Sequence, residues 1–296
     1  MTDNRFADNK AWYLVLPAIL LVAFTSLIPF IAVVNYSFQM VLSLNTHAFI
    51  GWESFVTALT SEEFRGAMGR QVLFTGLVLG IEVPLGIAVA LTMPRSGKAV
   101  GPVLVVLTLP LLIPWNVVGL IWQIFARGDI GLFGAFVNNW LHLDFNYATG
   151  SLAAWVTVII MSVWHWTSLV ALLCYAGLCA IPGAFYQAAR IDGASRWAVF
   201  RFIELPKLRG VLTIAILLRF IYSFKIYAGP LTVTGGGPGT STTYMTEMLI
   251  NTALGSFAYG KAAAYGLVYF LIILLISYLF YLFLTRVGTG DEGDAS

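Results

Sequence analysis

The sequence predicts an all-α integral membrane protein with six transmembrane helices and both termini in the cytoplasm. Of its 296 residues 59% are hydrophobic and only 10% charged, against about 25% charged in soluble domains, and mean hydropathy is +0.86. Apolar runs of about 20 residues, the length that crosses a hydrocarbon core, recur along the chain. Irregular backbone is not tolerated against lipid, so these runs must be helices.

The spans run from Ala11 to Val34, Val72 to Met93, Val103 to Ala126, Leu152 to Leu178, Val211 to Ala228 and Ala262 to Leu284. The first is too long for a signal-peptide core and lacks a small-residue cleavage site near Asn35, so it is expected to stay in the membrane. Pro17 and Pro29 interrupt the first span, Pro84 the second, and Pro110 and Pro114 the third. Each removes a helical hydrogen bond and predicts a kink, either a hinge or a packing feature. Residues 35–71, 127–151 and 229–261 form the loops on one side, with a short helix expected from Glu53 to Leu59. Pro94 to Gly101 is a tight basic turn on the other. Residues 1–10 read as a cytoplasmic N-terminus, 11–284 as the membrane domain with its large loop at 182–209, and 285–296 as a cytoplasmic tail, disordered from Gly288. Cys174 and Cys179, five apart in the fourth span, do not share a helix face, and each is expected to be a buried free thiol.

The net charge of +2 says little, but its distribution orients the chain. With the N-terminus inside, the inner segments hold Arg5, Lys10, Arg95, Lys98, Arg190, Arg196, Arg201, Lys207, Arg209 and Arg286; the outer ones hold Arg65, Arg70, Arg127 and Lys261. Positively charged loops stay in the cytoplasm, which places both termini and the 182–209 loop there.

Residues 187–206 form the one long polar, basic stretch between strongly apolar segments. Pro182 suits the first turn of a helix, where its missing N–H is not needed. That helix runs through Tyr186, Gln187, Ala188, Ala189 and Ile191 and stops at Asp192-Gly193. Ser195 is a candidate N-cap for a second helix, whose Trp197 and Phe200 share a face; Pro206 is expected to close it. Ala188, Ala189, Gly193 and Ala194 have little bulk, so another protein's backbone could come close. On physical grounds alone the pair of helices fits either a protein partner or a bed of anionic headgroups.

Gln187-Ala188-Ala189, Gly193, Ile203 and Leu205-Pro206 keep the spacing Glu-Ala-Ala, three residues, Gly, nine residues, Ile, one residue, Leu-Pro. This segment resembles the cytoplasmic loop of binding-protein-dependent ABC importer permeases, departing at Gln187, where the family usually carries Glu. Trp164-His165-Trp166-Thr167, Ala176-Gly177-Leu178 and Ile181-Pro182 resemble the approach to that loop in sugar permeases. Phe224-Lys225-Ile226-Tyr227 and Thr234-Gly235-Gly236-Gly237-Pro238-Gly239 resemble the Leu-Thr-Gly-Gly-Gly-Pro signature of the maltose-type first permease, and Tyr259-Gly260 with Ala262-Ala263-Ala264 the start of its last span.

The resemblance implies the type I ABC importer permease fold and a carbohydrate, polyol or glycerol-phosphate solute. It implies a second permease, two ATPase subunits, an extracytoplasmic solute-binding protein and membrane lipid as partners, with no nucleic acid. In the family this loop is the coupling helix, seated in a groove of the ATPase. Here that role falls to Tyr186, Gln187, Ala188, Ala189, Asp192, Gly193, Ala194, Trp197, Phe200, Leu205 and Pro206, with Gln187 leaving docking to shape more than charge. Ser96-Gly97-Lys98 lacks the upstream glycine and the hydroxyl residue of a phosphate loop, so the chain is expected to hydrolyse no ATP itself. It needs no cofactor of its own, ATP and Mg belonging to the partner ATPase.

Charged groups inside spans are costly and commonly functional. Glu82, Arg219 and Lys225 qualify, Arg219 and Lys225 also being able to snorkel or to pair with Glu82. With Glu82 and Lys225, the candidates for the solute pathway are the aromatic and amide groups Trp115, Asn116, Trp122, Gln123, Trp164, Trp166, Tyr222 and Tyr227, each of which also fits packing or an interfacial belt. His47, His142 and His165 are too scattered for a metal site. The outer loop Gly235, Gly236, Gly237 and Pro238 fits a docking site for the binding protein or a plain turn. An ion-coupled secondary transporter is the alternative class; an intramembrane enzyme would need paired catalytic groups that these spans lack.

Overall fold

The computed structural model describes residues 11–43 and 46–289. The predicted N-terminal segment 1–10 and residues 290–296 of the predicted tail lie outside that range. The chain divides into two compact units, residues 1–61 with 249–270 and residues 62–248 with 271–296.

In the first unit α1 (Ala11–Ser37) carries Pro17 and Pro29 within one continuous helix, and most of its side chains are exposed in the isolated chain. A hairpin follows that the sequence did not announce: β1 (Gln39–Ser43) pairs antiparallel with β2 (Thr46–Phe49), setting Gln39 against Phe49 and Val41 against His47. The expected short helix is α2 (Glu53–Thr60). Phe38, Trp52 and Phe55 close the corner with ring centroids 5.1–5.2 Å apart. Gly260 lies so close to the Gln39 carbonyl that a Cβ there would collide with it.

The second unit is a helical bundle. α3 (Glu62–Thr92) starts at Glu62, well before the apolar run at Val72, and passes through Pro84 without a break. α4 (Val100–Leu112) and α5 (Trp115–Phe125) together make the third apolar run, but they meet at 93°. That is the kink Pro110 and Pro114 predict in the third run, sharper than a bend within one helix. A residue before proline is pushed out of the helical region; Ile113 (ψ 125°) and Pro114 (ψ 139°) are both extended, so the chain must restart. α6 (Leu132–Trp140) is a short surface helix. α7 (Ser151–Cys179) is central, packing against α3, α4 and α5 and against the later helices α10 (Leu205–Phe224) and α11 (Ala228–Thr234).

α3 and α7 meet closely because Gly86 gives way to Val170, whose Cγ1 lies 2.6 Å from where a Cβ would sit. Phe74, Val78, Val118, Trp122, Val158, Met161, Ile226, Val233 and Tyr244 form one core; Ala90, Val170, Cys174, Leu178 and Leu208 belong to a second. Cys174 is buried as expected, but Cys179 is exposed. Five residues turn a helix by about 140° beyond a full turn, which carries the second thiol to the outer face.

The large loop holds α8 (Gly183–Ile191) and α9 (Arg196–Val199), then a π-turn at Phe200–Glu204 that runs straight into α10. Pro206 therefore does not close the second helix. It occupies the first turn of α10, where its lost N–H is absorbed by the wider turn before it: Leu205 N–H reaches back to the Phe200 carbonyl. The fifth run is also bent: α10 and α11 meet at 50° around Lys225–Tyr227. α12 (Met245–Ile250), a π-turn at Asn251–Gly255 and α13 (Tyr259–Thr289) complete the order. Among the described residues four helices are long and apolar enough to span a membrane, six spans if each bent pair counts as one.

Candidate functional site

The loop at 182–209 is built by local chemistry. α8 ends in a two-bond Schellman corner: Ala194 N–H donates to the Ala189 carbonyl (2.9 Å) and Gly193 N–H to that of Arg190 (3.3 Å). Such a corner needs a left-handed residue after the cap, and Gly193 supplies it with φ +64°. The Ser195 hydroxyl then caps α9 by accepting from Ala198 N–H at 3.2 Å, as its sequence position predicts. Ala189 is buried against the bundle, whereas Gln187, Ala188, Asp192, Gly193 and Ala194 face outward. Tyr186, Phe200, Leu205 and Pro206 are half-buried.

The outward face is apolar as well as basic. Ile191 is 86% exposed, Trp197 70% and Phe202 77%; Trp197 leans on Phe200 with centroids 5.4 Å apart. Ile191 and Phe202 were not singled out from sequence, although apolar residues in a basic loop bounded by helix signals were there to be noticed. An exposed apolar patch rimmed by polar groups marks an interaction surface.

Beneath this surface lies a contact that sequence reasoning missed. Arg95, in the basic turn between α3 and α4, donates from Nη2 to Glu204 Oε1 at 2.7 Å, and the Tyr186 hydroxyl donates to the same oxygen at 3.2 Å. The Arg95 guanidinium also lies 5.0 Å from the centre of the Tyr186 ring. Burial works against the Arg95 charge, but the bonds to Glu204 and Tyr186 outweigh it and hold the guanidinium above its ordinary value. The two segments predicted to share one side of the membrane thus touch.

In the membrane-spanning part, Glu82 and Arg219 pair as one of the sequence readings proposed. Arg219 donates from Nε to Glu82 Oε2 (2.5 Å) and from Nη2 to Glu82 Oε1 (3.0 Å) and Ser162 Oγ (2.6 Å). Both charges are buried, at 1% and 0% exposure, so Glu82 has no free group to offer a solute. Arg219 also lies 4.9 Å from the centre of the Trp166 ring, and Trp166 stacks on Tyr222 at 5.0 Å with planes 26° apart. Trp115 joins them, 6.3 Å from Trp166 and 4.8 Å from His165. It rests on α11, where a Cβ on Gly229 would meet its ring at 2.8 Å.

Trp115, Trp166 and Tyr222 therefore form one group. Trp122 and Trp164 form another with centroids 6.2 Å apart, Trp122 being part of the core. Asn116, Gln123 and Lys225 are exposed and Tyr227 half-buried.

The glycine loop is an ordered cap. Gly235 ends α11 in the left-handed conformation, and Gly236 follows with φ +83°. Thr242 N–H and Thr243 Oγ1 donate to the Gly236 carbonyl at 3.0 and 3.2 Å, and Thr242 Oγ1 to the Gly237 carbonyl at 2.9 Å. Behind it lie buried Glu247 and half-buried Arg70, whose Nε donates to the Thr243 carbonyl at 2.9 Å. Burial pushes the Glu247 carboxyl above its ordinary value, with Arg70 opposing. Among the described residues no group of three His, Cys, Asp or Glu is placed to hold a metal ion.

The fold matches a crystal structure of a bacterial ABC transporter involved in import of the acidic polysaccharide alginate, with a TM-score of 0.80 and 21% identity, covering 94% of this chain and 95% of that one. A second structure, the alginate transporter in complex with its alginate pentasaccharide-bound periplasmic protein, matches at 0.81 with 21% identity and the same coverage. The fold is thus that of a type I ABC importer permease. Residues 82–289 match the family of binding-protein-dependent transport system inner membrane components, and the chain belongs to that family. It is a non-catalytic, multi-pass inner-membrane component.

Among curated relatives, the trehalose/maltose permease MalF of Thermococcus litoralis is 29% identical over 87% of this chain and 88% of its own length. The trehalose permease SugA of Mycobacterium tuberculosis is 26% identical over 98% and 94%, and the diacetylchitobiose permease NgcF of Streptomyces coelicolor 28% over 83% and 73%.

Proposed function

We propose that this chain forms, with a second permease subunit, the translocation pathway for a sugar or a related polyol or glycerol-type solute, and that its 182–209 loop docks on an ATPase in the cytoplasm. Two ATPase subunits holding ATP and Mg, and a solute-binding protein on the outer side, complete the assembly. Both termini face the cytoplasm, as the Lys and Arg distribution requires. The solute class follows the sugars named for the relatives, and the Trp115, Trp166 and Tyr222 group suits it: flat aromatic faces bury the apolar faces of sugar rings while leaving hydroxyls free.

The observation that carries this reading is the loop itself. A Schellman corner at Gly193 and a capped α9 hold Ile191, Trp197 and Phe202 outward in a fixed arrangement. Three large apolar side chains held outward beside basic ones suit a groove on a partner, and the family's loop spacing favours a protein over headgroups. The family assignment favours binding-protein-dependent transport over the ion-coupled alternative. Gly193→Asp tests it: the variant should insert in the membrane normally yet lose ATP-driven uptake. Wild-type uptake by that variant would refute the docking role.

A further inference from the structure

Resting on the docking role of the 182–209 loop, we propose that Arg95 and Glu204 form the joint that makes this loop move as one body with the membrane helices. A loop that transmits motion must not yield at its ends. At its first end α7 stops at Cys179 and the chain turns through Ala180 to Pro182, whose ψ of 137° is extended. At its second end the helix path runs through a π-turn at Phe200–Glu204, a wider and less regular ring than the α-turn. Either point would let the loop swing while the spans stayed still.

One guanidinium braces both. Arg95 comes from neither end but from the α3–α4 turn, and it grips Glu204 within the π-turn and covers the Tyr186 ring on α8. Tyr186 completes a triangle by donating to the same Glu204 oxygen. Glu204 is 7% exposed while the Arg95 side chain keeps 34% of its surface open, so the carboxylate is buried and the guanidinium reaches it from the rim. Burial of an acid at this place in a basic loop has a cost that only a fixed partner offsets. Movement of α8 is thereby carried to α3 and α4 as well as to α10.

The test uses the complete reconstituted complex in liposomes, measuring solute imported per ATP hydrolysed, ATPase retention on purification and thermal stability. Arg95→Gln and Glu204→Gln should keep the ATPase bound while solute imported per ATP falls at least about fivefold. The charge swap Arg95→Glu with Glu204→Arg should restore most of it, which loss of packing alone would not explain. Unchanged import per ATP in both single variants, or loss of the ATPase from the complex, overturns the joint. If the single variants do not fold, the swap decides: a folded but uncoupled swap overturns the proposal, a coupled one supports it. The docking reading fails separately, through Gly193→Asp.

Discussion

Arg219 and Glu82 show how a single residue pair sets the inside of the bundle. Breaking a buried ion pair by removing one partner costs about 3–5 kcal/mol, whereas replacing both by apolar groups is frequently close to neutral. Glu82→Leu or Arg219→Leu alone should therefore destabilise the purified protein strongly, and the double substitution should recover most of the loss. Thermal unfolding of the three variants checks this, and equal damage in the double and the singles would contradict it. The pair was legible in the sequence because intramembrane charges need partners; Arg95 with Glu204 was not, since nothing local in either segment names a partner on another hairpin.

Gly236 is the second residue whose identity is dictated by its surroundings. A Cβ would collide with the buried Glu247 carboxylate and with Thr243 Oγ1, and φ is +83°. Burial holds Glu247 above its ordinary value, against the pull of Arg70. A carboxyl shifted in that direction stabilises below its unfolded-state value and loses that contribution as pH rises through its folded-state value. Stability should thus fall from about pH 4.5 upward through this group, and Glu247→Gln should flatten that part of the curve. Unfolding temperatures of the two proteins across that range decide it.

At the scale of elements, local signals worked where they act alone. Ser195 as N-cap and Asp192-Gly193 as the stop of α8 were readable because caps and corners depend on a few adjacent residues. Ser195→Ala should cost about 1 kcal/mol and loosen α9, seen as faster hydrogen exchange at Arg196 to Phe200, while Ser195→Asp should preserve it. The spans at α1, α3, α7 and α13 were legible from length and composition, though α3 begins earlier because Glu62 to Arg70 is helical and charged. Pro110 and Pro114 announced a kink in the third run but not its 93° angle, and nothing announced the bend at Lys225–Tyr227, for a physical reason: α5 and α11 stay apolar because they pack on each other, Gly119 against Gly229 and Thr232, so composition does not change across either bend. The β1–β2 hairpin is too short to leave a clear alternation.

For the whole molecule, the proposed function gives the spans the role of path and the 182–209 loop that of handle. The bundle brings Trp115, Trp166 and Tyr222 together from three helices, although the sequence offered a longer set of aromatics without saying which would meet. In the proposed function this loop, and not the outer glycine loop, is the face that meets the ATPase. With Cys174 and Cys179 replaced by Ala, single cysteines at Ile191 and at Thr240 can each be joined to neighbours in the purified complex by a thiol–amine crosslinker. Ile191→Cys should yield a product with the ATPase subunit and Thr240→Cys none. An ATPase crosslink from position 240, or its absence from position 191 in a complex that still hydrolyses ATP, would contradict the account.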